Sequence, residues 1–531
     1  MTERYLHSTV AIGLGVMLTT LVLWLGGVGA AQADPGTRYV APGGVDGGND
    51  CQTPGSPCAT LQRAIDVAGP GDEVHVAGGL YSRAGTLAAI TKALTIRGGY
   101  APGFGQHEPD AYPSVLDAQS KGPVIRVTYS GDVRLEFLQL QHGDGSAVCD
   151  STLGCGGGVY ARSTNLVIDH CVVWSNTATR APSGWGWGGG IYVQNDGHDY
   201  SLEIQHSAVL SNVANADVCI HPACGSARGG GVYARGGQVA MRFNLIAGNV
   251  GHLAWAGAGG GLYVSYADRV DVVGNVVARN RASLSNWRSD GGGIWVDHSD
   301  VVLLSDNQVE DNMTSGHPTQ GAGLGGGMYV WDSDAQVYRN LIRNNSAGTR
   351  VGAMRPGGGV CVQSTLPVTL ADNLIVHNSA GSYDGGGVSV GLSWAPGSHA
   401  VLVNNTIAAN GQSSVVGWQY AVLTLTNNII AGHDVGLAAV APQTGSAVVA
   451  DTNLFSNTLN PVTGTHALFG DPRFGPDYRL QYDSPAVDAG LTVPWLENDL
   501  AGVPRPQGRA YDLGAFESLW PYLYLPVVVR H

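Results

Sequence analysis

Gly-Gly-Gly-Val-Tyr at residues 156–160 returns further along the chain as Gly-Gly-Gly-Ile-Tyr at residues 188–192. Further copies begin at Gly229, Gly259, Gly291 and Gly325, and two weaker copies begin at Gly357 and Gly385. Successive copies start 28 to 41 residues apart. Repetition at such a period is typical of a solenoid, in which each repeat buries its apolar face against the next.

A pair of asparagines recurs with the glycine runs, in the pattern Asn-x-apolar-x-x-Asn. Its full copies are Asn244/Asn249, Asn275/Asn280, Asn307/Asn312, Asn340/Asn345, Asn373/Asn378 and Asn405/Asn410. Stacked coils of a parallel β-helix lie about 4.8 Å apart, so asparagines at equivalent corners can form a ladder of hydrogen bonds. Short apolar stretches separate these corners. The sequence therefore predicts an all-β, right-handed parallel β-helix, a three-sided solenoid, with its repeats over residues 111–455.

Residues 34–110 are predicted to form the N-terminal cap and first coils. The stretch from Ala59 to Ala68 spaces its apolar residues as a short amphipathic helix does, and such a helix can cover the end of a solenoid core. Residues 57–81, PCATLQRAIDVAGPGDEVHVAGGLY, resemble the N-terminal segment of right-handed parallel β-helix proteins of the pectate-lyase-like superfamily. The resemblance implies the same fold.

Beyond the repeats, residues 456–517 carry a different set of motifs. They include Asp471-Pro472-Arg473-Phe474, Ser484-Pro485-Ala486-Val487-Asp488-Ala489-Gly490 and Asp512-Leu513-Gly514-Ala515-Phe516-Glu517. This set resembles the choice-of-anchor Q domain, a C-terminal module found after secreted β-helices. The resemblance implies an extracellular or cell-surface protein and implies no reaction. The apolar tail at residues 518–531 is too short to span a bilayer.

Residues 1–33 are predicted to be a signal peptide. Arg4 precedes an apolar run, and Ala31-Gln32-Ala33 is a small-x-small cleavage site; an uncleaved membrane anchor is the alternative. The eight cysteines fit an exported protein. The predicted disulfides are Cys51–Cys58, Cys149–Cys155 and Cys219–Cys224, whereas Cys171 and Cys361 are predicted to be buried thiols.

The charge of the chain argues against some classes of partner. The formal net charge is −14, and Lys92 and Lys121 are the only lysines. Without a basic cluster, neither nucleic acid nor an anionic membrane surface is an expected partner. We expect a monomer, either anchored to the cell envelope or released from it.

Alternation along the strands that follow the glycines predicts an external aromatic stripe. Its members are Tyr160, Tyr192, Tyr233, Tyr263, Trp295 and Tyr329. Flat aromatic faces bind the apolar faces of sugars, so these residues are candidates for glycan binding. Alternatively, stacked rings only stabilise neighbouring strands.

Loop carboxylates follow the aromatic positions. Asp297, Asp300, Asp332 and Asp334 are weak candidates for Ca²⁺ binding through oxygen ligands, and a solvated acidic edge is the alternative. No other cofactor is expected.

Two stretches suggest a rival, catalytic interpretation. Val-Ile-Asp-His at residues 167–170 and Trp-Val-Asp-His at residues 295–298 resemble the apolar-Ile-Asp-His strand of pectate lyases. The candidate catalytic residues are therefore Asp169, His170, Asp297 and His298. The two pairs are expected on different sides of the coil, and the arginine motif of the lyases has no match.

The leading interpretation is an exported, non-catalytic protein that contacts a polysaccharide or cell-surface glycan through the aromatic stripe. A polysaccharide lyase or glycoside hydrolase with a divergent active site is the first alternative. The second is a structural stalk or adhesin that binds protein partners.

Overall fold

The computed structural model describes residues 36–519, apart from residues 147, 182–183, 196, 198, 219–224, 286–288, 318–320, 322, 349–356, 382–384, 392–396, 412, 440–445 and 458. The predicted signal peptide, the predicted Cys219–Cys224 bridge and all but two residues of the apolar tail lie outside the described residues.

Parallel strands stack coil upon coil into a β-helix with three faces, which confirms the predicted fold. Face 1 contains the strands that follow the glycine runs. Its strands are Ala88–Ile90, the first part of Ile125–Glu136, the first part of Val159–Asp169, Ile191–Gln194, Val232–Arg235, Leu262–Ser265, Ile294–Asp297, Met328–Trp331, Val360–Gln363, Val388–Val390, Ser413–Gly417 and Val435–Ala439.

Face 2 follows face 1 in each coil. Its strands are Thr37–Val40, Glu73–Ala77, Leu94–Tyr100, the second parts of Ile125–Glu136 and Val159–Asp169, Ser201–Gln205, Gln238–Arg242, Arg269–Val273, Val301–Ser305, Ala335–Tyr338, Pro367–Ala371, His399–Val403, Val422–Thr426 and Ala447–Asp451.

Face 3 closes the coil. Its strands are Gly79–Ser82, Ser114–Asp117, Leu138–Gln141, Val172–Trp174, Ala208–Leu210, Leu245–Ala247, Val276–Ala278, Gln308–Glu310, Leu341–Arg343, Leu374–Val376, Thr406–Ala408, Ile429–Ala431, Leu454–Ser456 and Leu468–Phe469.

One continuous apolar core fills the space between the three faces. The residue after each strong glycine run points into it, and each of these side chains is fully buried: Val159, Ile191, Val232, Leu262, Ile294 and Met328. The inward half of the predicted alternation is therefore confirmed.

Two asparagine ladders hold the corners on either side of face 3. One runs from Asn244 to Asn453 and the other from Asn176 to Asn410, with one asparagine from each coil. Along both ladders the side-chain amide of one coil donates to the side-chain oxygen of the next, at 2.9 to 3.1 Å. The register that the asparagine pattern predicts is thus fixed by buried hydrogen bonds.

A helix at Leu61–Val67 covers the first coil. The Thr60 hydroxyl caps it by accepting a hydrogen bond from the Arg63 backbone N–H at 3.3 Å, and Leu61, Ala64 and Ile65 are buried. In the part of the chain that the structure describes, no helix is long and apolar enough to cross a membrane.

In the middle coils, extra strands lie between the second asparagine corner and the glycines. We call these strands the arm. They form two small parallel sheets: Thr177–Thr179, Val213–Asn215, Val250–His252, Arg281–Ser283 and Met313–Ser315 in one, and Leu153–Cys155, Trp185–Trp187, Ala227–Arg228 and Gly257–Ala258 in the other. The glycine runs allow the arm to pack closely against them, because a Cβ on Gly260 would collide with the backbone of Arg281 in the arm.

The segment after the repeats packs on the outer side of face 3. Leu480, Leu513 and Phe516 share a second apolar core with Leu374 and Ile429 of that face. Its resemblance to an anchoring module, and the predicted domain boundaries, stay predictions.

Candidate functional site

The six predicted aromatic residues stack in register along face 1. Ring centroids of successive residues lie 4.8 to 5.5 Å apart. All six are buried, with exposed fractions of 0 to 7%. The rings do point away from the main core, but the prediction of an external stripe is wrong because the arm covers them. Trp187 of the arm, for example, stacks on Tyr233 with 5.2 Å between centroids.

Exposed rings lie instead at the corner that joins face 1 to face 2. Tyr266 is 52% exposed, and its ring stacks on that of His298 in the next coil at 5.2 Å. Trp331 follows, with its ring centroid 5.7 Å from that of His298. On the other side, the guanidinium of Arg235 lies 4.9 Å from the centre of the Tyr266 ring. Four consecutive coils thus contribute one row of flat groups.

A cleft separates this corner from the arm. Its volume is about 440 Å³, within the usual range for ligand pockets. One wall is the row formed by Arg235, Tyr266, His298 and Trp331, and the opposite wall is formed by the arm around Arg228 and by the segment that contains Ser289 and Asp290. Tyr263, Trp295 and Asp297 complete the lining.

Asp297 is the buried carboxylate of the cleft, with 7% of its surface exposed. One carboxylate oxygen accepts a hydrogen bond from the Tyr263 hydroxyl at 2.7 Å, and the other is hydrogen-bonded to Nδ1 of His298. Burial, together with the negative charge of Asp297, raises the pKa of Tyr263. Tyr263 therefore stays a neutral donor, and its hydrogen bond holds Asp297 in place.

Two arginines supply positive charge to the cleft. The Arg228 guanidinium lies 5.4 Å from the ring centres of Trp187 and Tyr263, a cation–π arrangement. Within the described ranges, neither Arg228 nor Arg235 forms an ion pair with a carboxylate of this chain. Both guanidinium groups are therefore available to an anionic ligand.

Sequence reasoning named Tyr263, Trp295, Asp297 and His298 but missed Arg228, Arg235, Tyr266 and Trp331. Tyr266 and His298 both stand seven positions after the first glycine of their repeats, so aligning the repeats on that glycine would have revealed the column. Arg235 and Trp331 both stand six positions after the first glycine of theirs. Arg228 has no comparable signal, because it lies in the arm and its position depends on how the arm folds back.

Asp169 and His170 lie elsewhere, at the corner between faces 2 and 3. Asp169 is in register with Gln205, whereas Asp297 is in register with Ser265 and Trp331. The two Asp-His pairs therefore belong to different corners, as the sequence predicts.

The four calcium candidates do not converge as a set. His298 lies between two of them, since its Nδ1 is bonded to Asp297 and its Nε2 lies 3.7 Å from a carboxylate oxygen of Asp332. Asp300 and Asp334 are exposed. Calcium binding at these residues stays a prediction.

The cysteines agree with the prediction where the structure describes them. Cys51–Cys58 and Cys149–Cys155 are disulfides, and Cys171 and Cys361 are buried free thiols.

Comparison with known proteins concerns the fold. Residues 322–455 match the family model described as "Right handed beta helix region". No curated protein sequence matches this chain.

Three solved structures are similar over most of their length. The pectate lyase Pel9A is 14% identical, with a TM-score of 0.35, over 91% of this chain and 96% of that one. The periplasmic alginate epimerase AlgG is 12% identical, with a TM-score of 0.37, over 78% and 83%. XylC, solved with xylose, is 11% identical, with a TM-score of 0.40, over 91% and 98%. At such identities and TM-scores, the likeness carries no argument about this chain's activity.

Proposed function

We propose that this protein is exported and binds an acidic polysaccharide in the cleft between the arm and the corner of faces 1 and 2. One observation carries the proposal. The exposed ring of Tyr266 and the partly exposed ring of Trp331 lie in the same cleft as Arg228 and Arg235, and neither arginine has a carboxylate partner among the described residues.

The chemistry of these groups matches a uronate-containing chain. The apolar face of a pyranose ring can stack on Tyr266 or Trp331, and a guanidinium can hold a carboxylate through two hydrogen bonds. The repeating architecture favours an extended ligand. Four successive coils of the solenoid contribute one residue each to the row, namely Arg235, Tyr266, His298 and Trp331. The overall charge of −14 opposes polyanion binding, so the local arginines must provide the attraction.

A binding experiment tests this proposal. Protein comprising residues 34–531 is passed over immobilised polygalacturonate and over an immobilised neutral polysaccharide, and retention is measured. We expect retention on the acidic matrix only, and we expect Tyr266→Ala and Arg235→Gln to reduce it. Tyr420→Ala is the matched control, since Tyr420 is 47% exposed and has a similar positive φ of 59° against 52° in Tyr266. Equal retention of all variants would refute the cleft as the binding site.

Cleavage at the same cleft is the second candidate function. The cleft brings Asp297 and His298 together with two arginines, a combination that the sequence motifs did not predict. In a β-elimination, a base removes the C5 proton next to the uronate carboxylate while cations neutralise that carboxylate. The C4–O glycosidic bond breaks as the C4=C5 double bond forms, and the departing oxygen takes up a proton from water. His298, hydrogen-bonded to Asp297, would be the base. Release of soluble fragments with an unsaturated end, lost in His298→Asn, would establish this activity in place of simple binding.

Export rests on the disulfides and on the signal-like N-terminus. Two disulfides among the described residues suit an oxidising compartment outside the cytoplasm. The mass of mature protein recovered from the producing cells or their medium tests this proposal, and a chain that still carried residues 1–33 would contradict cleavage. If the protein is not retained on any polysaccharide and releases no fragments from any, that result favours the stalk or adhesin alternative.

A further inference from the structure

A second row of rings lies at the corner between faces 2 and 3, away from the polysaccharide cleft. Phe137, His170, His206 and Phe243 come from successive coils, and their ring centroids are 4.8, 4.8 and 5.7 Å apart. All four residues have positive φ angles between 46° and 56°. The two histidines are about half exposed, with side-chain fractions of 47% and 45%.

Asp169 brings the two imidazoles to one point. Its Oδ1 lies 2.7 Å from Nδ1 of His170 and 3.3 Å from Nδ1 of His206. Its Oδ2 is held separately, by the Gln205 amide at 3.0 Å and by Arg134 at 3.5 Å. Among the described residues, this is the only set of three acidic, histidine or cysteine side chains whose ligand atoms all lie within 4.8 Å of one another.

We propose that Asp169, His170 and His206 bind a divalent transition metal ion, with Zn²⁺ as the expected occupant. Zn–N and Zn–O bonds of about 2.0–2.1 Å in a tetrahedral site place neighbouring ligand atoms roughly 3.3 Å apart. The two separations from Asp169 Oδ1 bracket that value. The two imidazole nitrogens lie within 4.8 Å of each other, so the imidazoles tilt towards each other for the three atoms to coordinate one ion, with the metal in place of the bridging protons.

The donor set selects a metal of this class. Imidazole nitrogens suit Zn²⁺, Cu²⁺ and Ni²⁺, whereas Ca²⁺ takes six to eight oxygen ligands and this site offers few. Cys171 is not a ligand, because its thiol is buried and its sulfur lies 3.4 Å from the carbonyl oxygen of Leu135.

The surroundings of the three proposed ligands leave the fourth coordination position of the metal ion open. A groove of about 470 Å³ runs along this corner, lined by Phe137, both histidines and Phe243 and walled by residues such as Pro109. An open fourth position admits water or a small ligand.

The neighbouring coils supply fold-preserving variants. Phe137 and Phe243 occupy the same column with φ angles of 54° and 56°, so His170→Phe and His206→Phe keep the ring stack and remove only the nitrogens. His142→Phe is the control. His142 has a φ of 51°, and its Nδ1 lies 2.9 Å from Asp117 Oδ2, but it lacks a second histidine beside that carboxylate.

The test is calorimetric titration of tag-free protein, residues 34–531, with Zn²⁺ and separately with Ca²⁺. We expect one Zn²⁺ per chain and a higher Tm in its presence. Each of His170→Phe and His206→Phe should weaken Zn²⁺ binding by roughly tenfold or more, and His142→Phe should bind like the parent. Unchanged binding in both test variants, an equal loss in His142→Phe, or Ca²⁺ binding that depends on the same histidines would overturn the proposal. Far-UV circular dichroism of each variant without metal establishes that it is folded.

Discussion

The guanidinium of Arg505 donates a hydrogen bond of 2.8 Å to the carboxylate of Asp372, although 133 residues separate the two along the chain. Both side chains are completely buried. A second nitrogen of Arg505 pairs with Glu517 at 2.6 Å. This buried group joins the C-terminal segment to the corner that follows the face 2 strand Pro367–Ala371.

Arg505→Met should strongly destabilise the protein. The change leaves Asp372 and Glu517 buried without their counter-charge, which typically costs about 3–5 kcal/mol. Denaturant unfolding, followed by circular dichroism, measures the loss. Arg339→Met is the control, because Arg339 pairs with the half-exposed Asp306 at 2.8 Å and exposed pairs contribute about 1 kcal/mol or less. Equal losses in the two variants would contradict the special role of the buried pair.

The buried cluster of Arg505, Asp372 and Glu517 predicts an unusual dependence of stability on pH. Burial outweighs the attraction of Arg505 and raises the pKa of Asp372 to about 7, well above the value of about 3.9 expected in the unfolded chain. Because the pKa of Asp372 is higher in the folded protein than in the unfolded chain, its contribution to the free energy of unfolding is fully present below the unfolded-state pKa. That contribution is lost as the pH rises through the folded-state pKa. The free energy of unfolding should therefore fall between about pH 4 and 7, by at most roughly 1.4 kcal/mol per pH unit from this one group.

Asp372→Asn isolates that contribution. Unfolding is measured at several pH values in the parent and the variant, and the variant should show a flatter profile over this window. Parallel profiles would show that Asp372 does not take up a proton in the folded protein.

The asparagine ladder shows what repetition in a sequence can predict. Equivalent positions recur at nearly constant spacing, and stacking of identical side chains is itself the interaction that stabilises the corner. Asn280 and Asn312 could therefore be assigned to one ladder without any structure.

The burial of Tyr233 shows what repetition cannot predict. Alternation indicates on which side of a strand a residue lies, but not what lies over it. The arm is built from inserted residues whose length varies between coils, and its strands are only two or three residues long. The cleft depends on that arm, so the assembly of Arg228 with Tyr266 and Asp297 required the structure.

Asn280→Ala should be costly. The Asn280 side chain accepts from Asn249, donates to the Ile246 carbonyl at 2.8 Å and donates to Asn312 at 3.0 Å. Its removal leaves several buried polar groups unpaired, at about 1–3 kcal/mol each, so a total loss of about 3–5 kcal/mol is expected. Asn165→Ala is the control, because Asn165 is half-buried and bonds to Asp132 at 2.8 Å. Similar losses in both variants would contradict the ladder's role.

Thiol titration tests the predicted Cys219–Cys224 bridge, which lies outside the described residues. Native protein should show no reactive thiol from Cys171 or Cys361, because both are buried and burial raises the pKa of Cys171 to about 12. After denaturation without reductant, two thiols per chain are expected if the bridge exists. Four would show that Cys219 and Cys224 are reduced.

Two tyrosines of the buried stack differ in one hydrogen bond and give a matched pair of variants. Tyr263 donates to Asp297 at 2.7 Å, whereas the buried hydroxyl of Tyr233 has no hydrogen-bond partner among the described residues. Tyr263→Phe should therefore cost about 1.5–3 kcal/mol, the usual value for a hydrogen bond to a charged group. Tyr233→Phe should leave the free energy of unfolding unchanged or raise it, because it removes an unsatisfied polar atom and keeps the ring stack.

Denaturant unfolding of both variants measures the two effects, and a larger loss in Tyr233→Phe would show that its hydroxyl has a partner, such as a buried water. Polysaccharide retention should fall in Tyr263→Phe alone, since only that change frees Asp297 within the cleft.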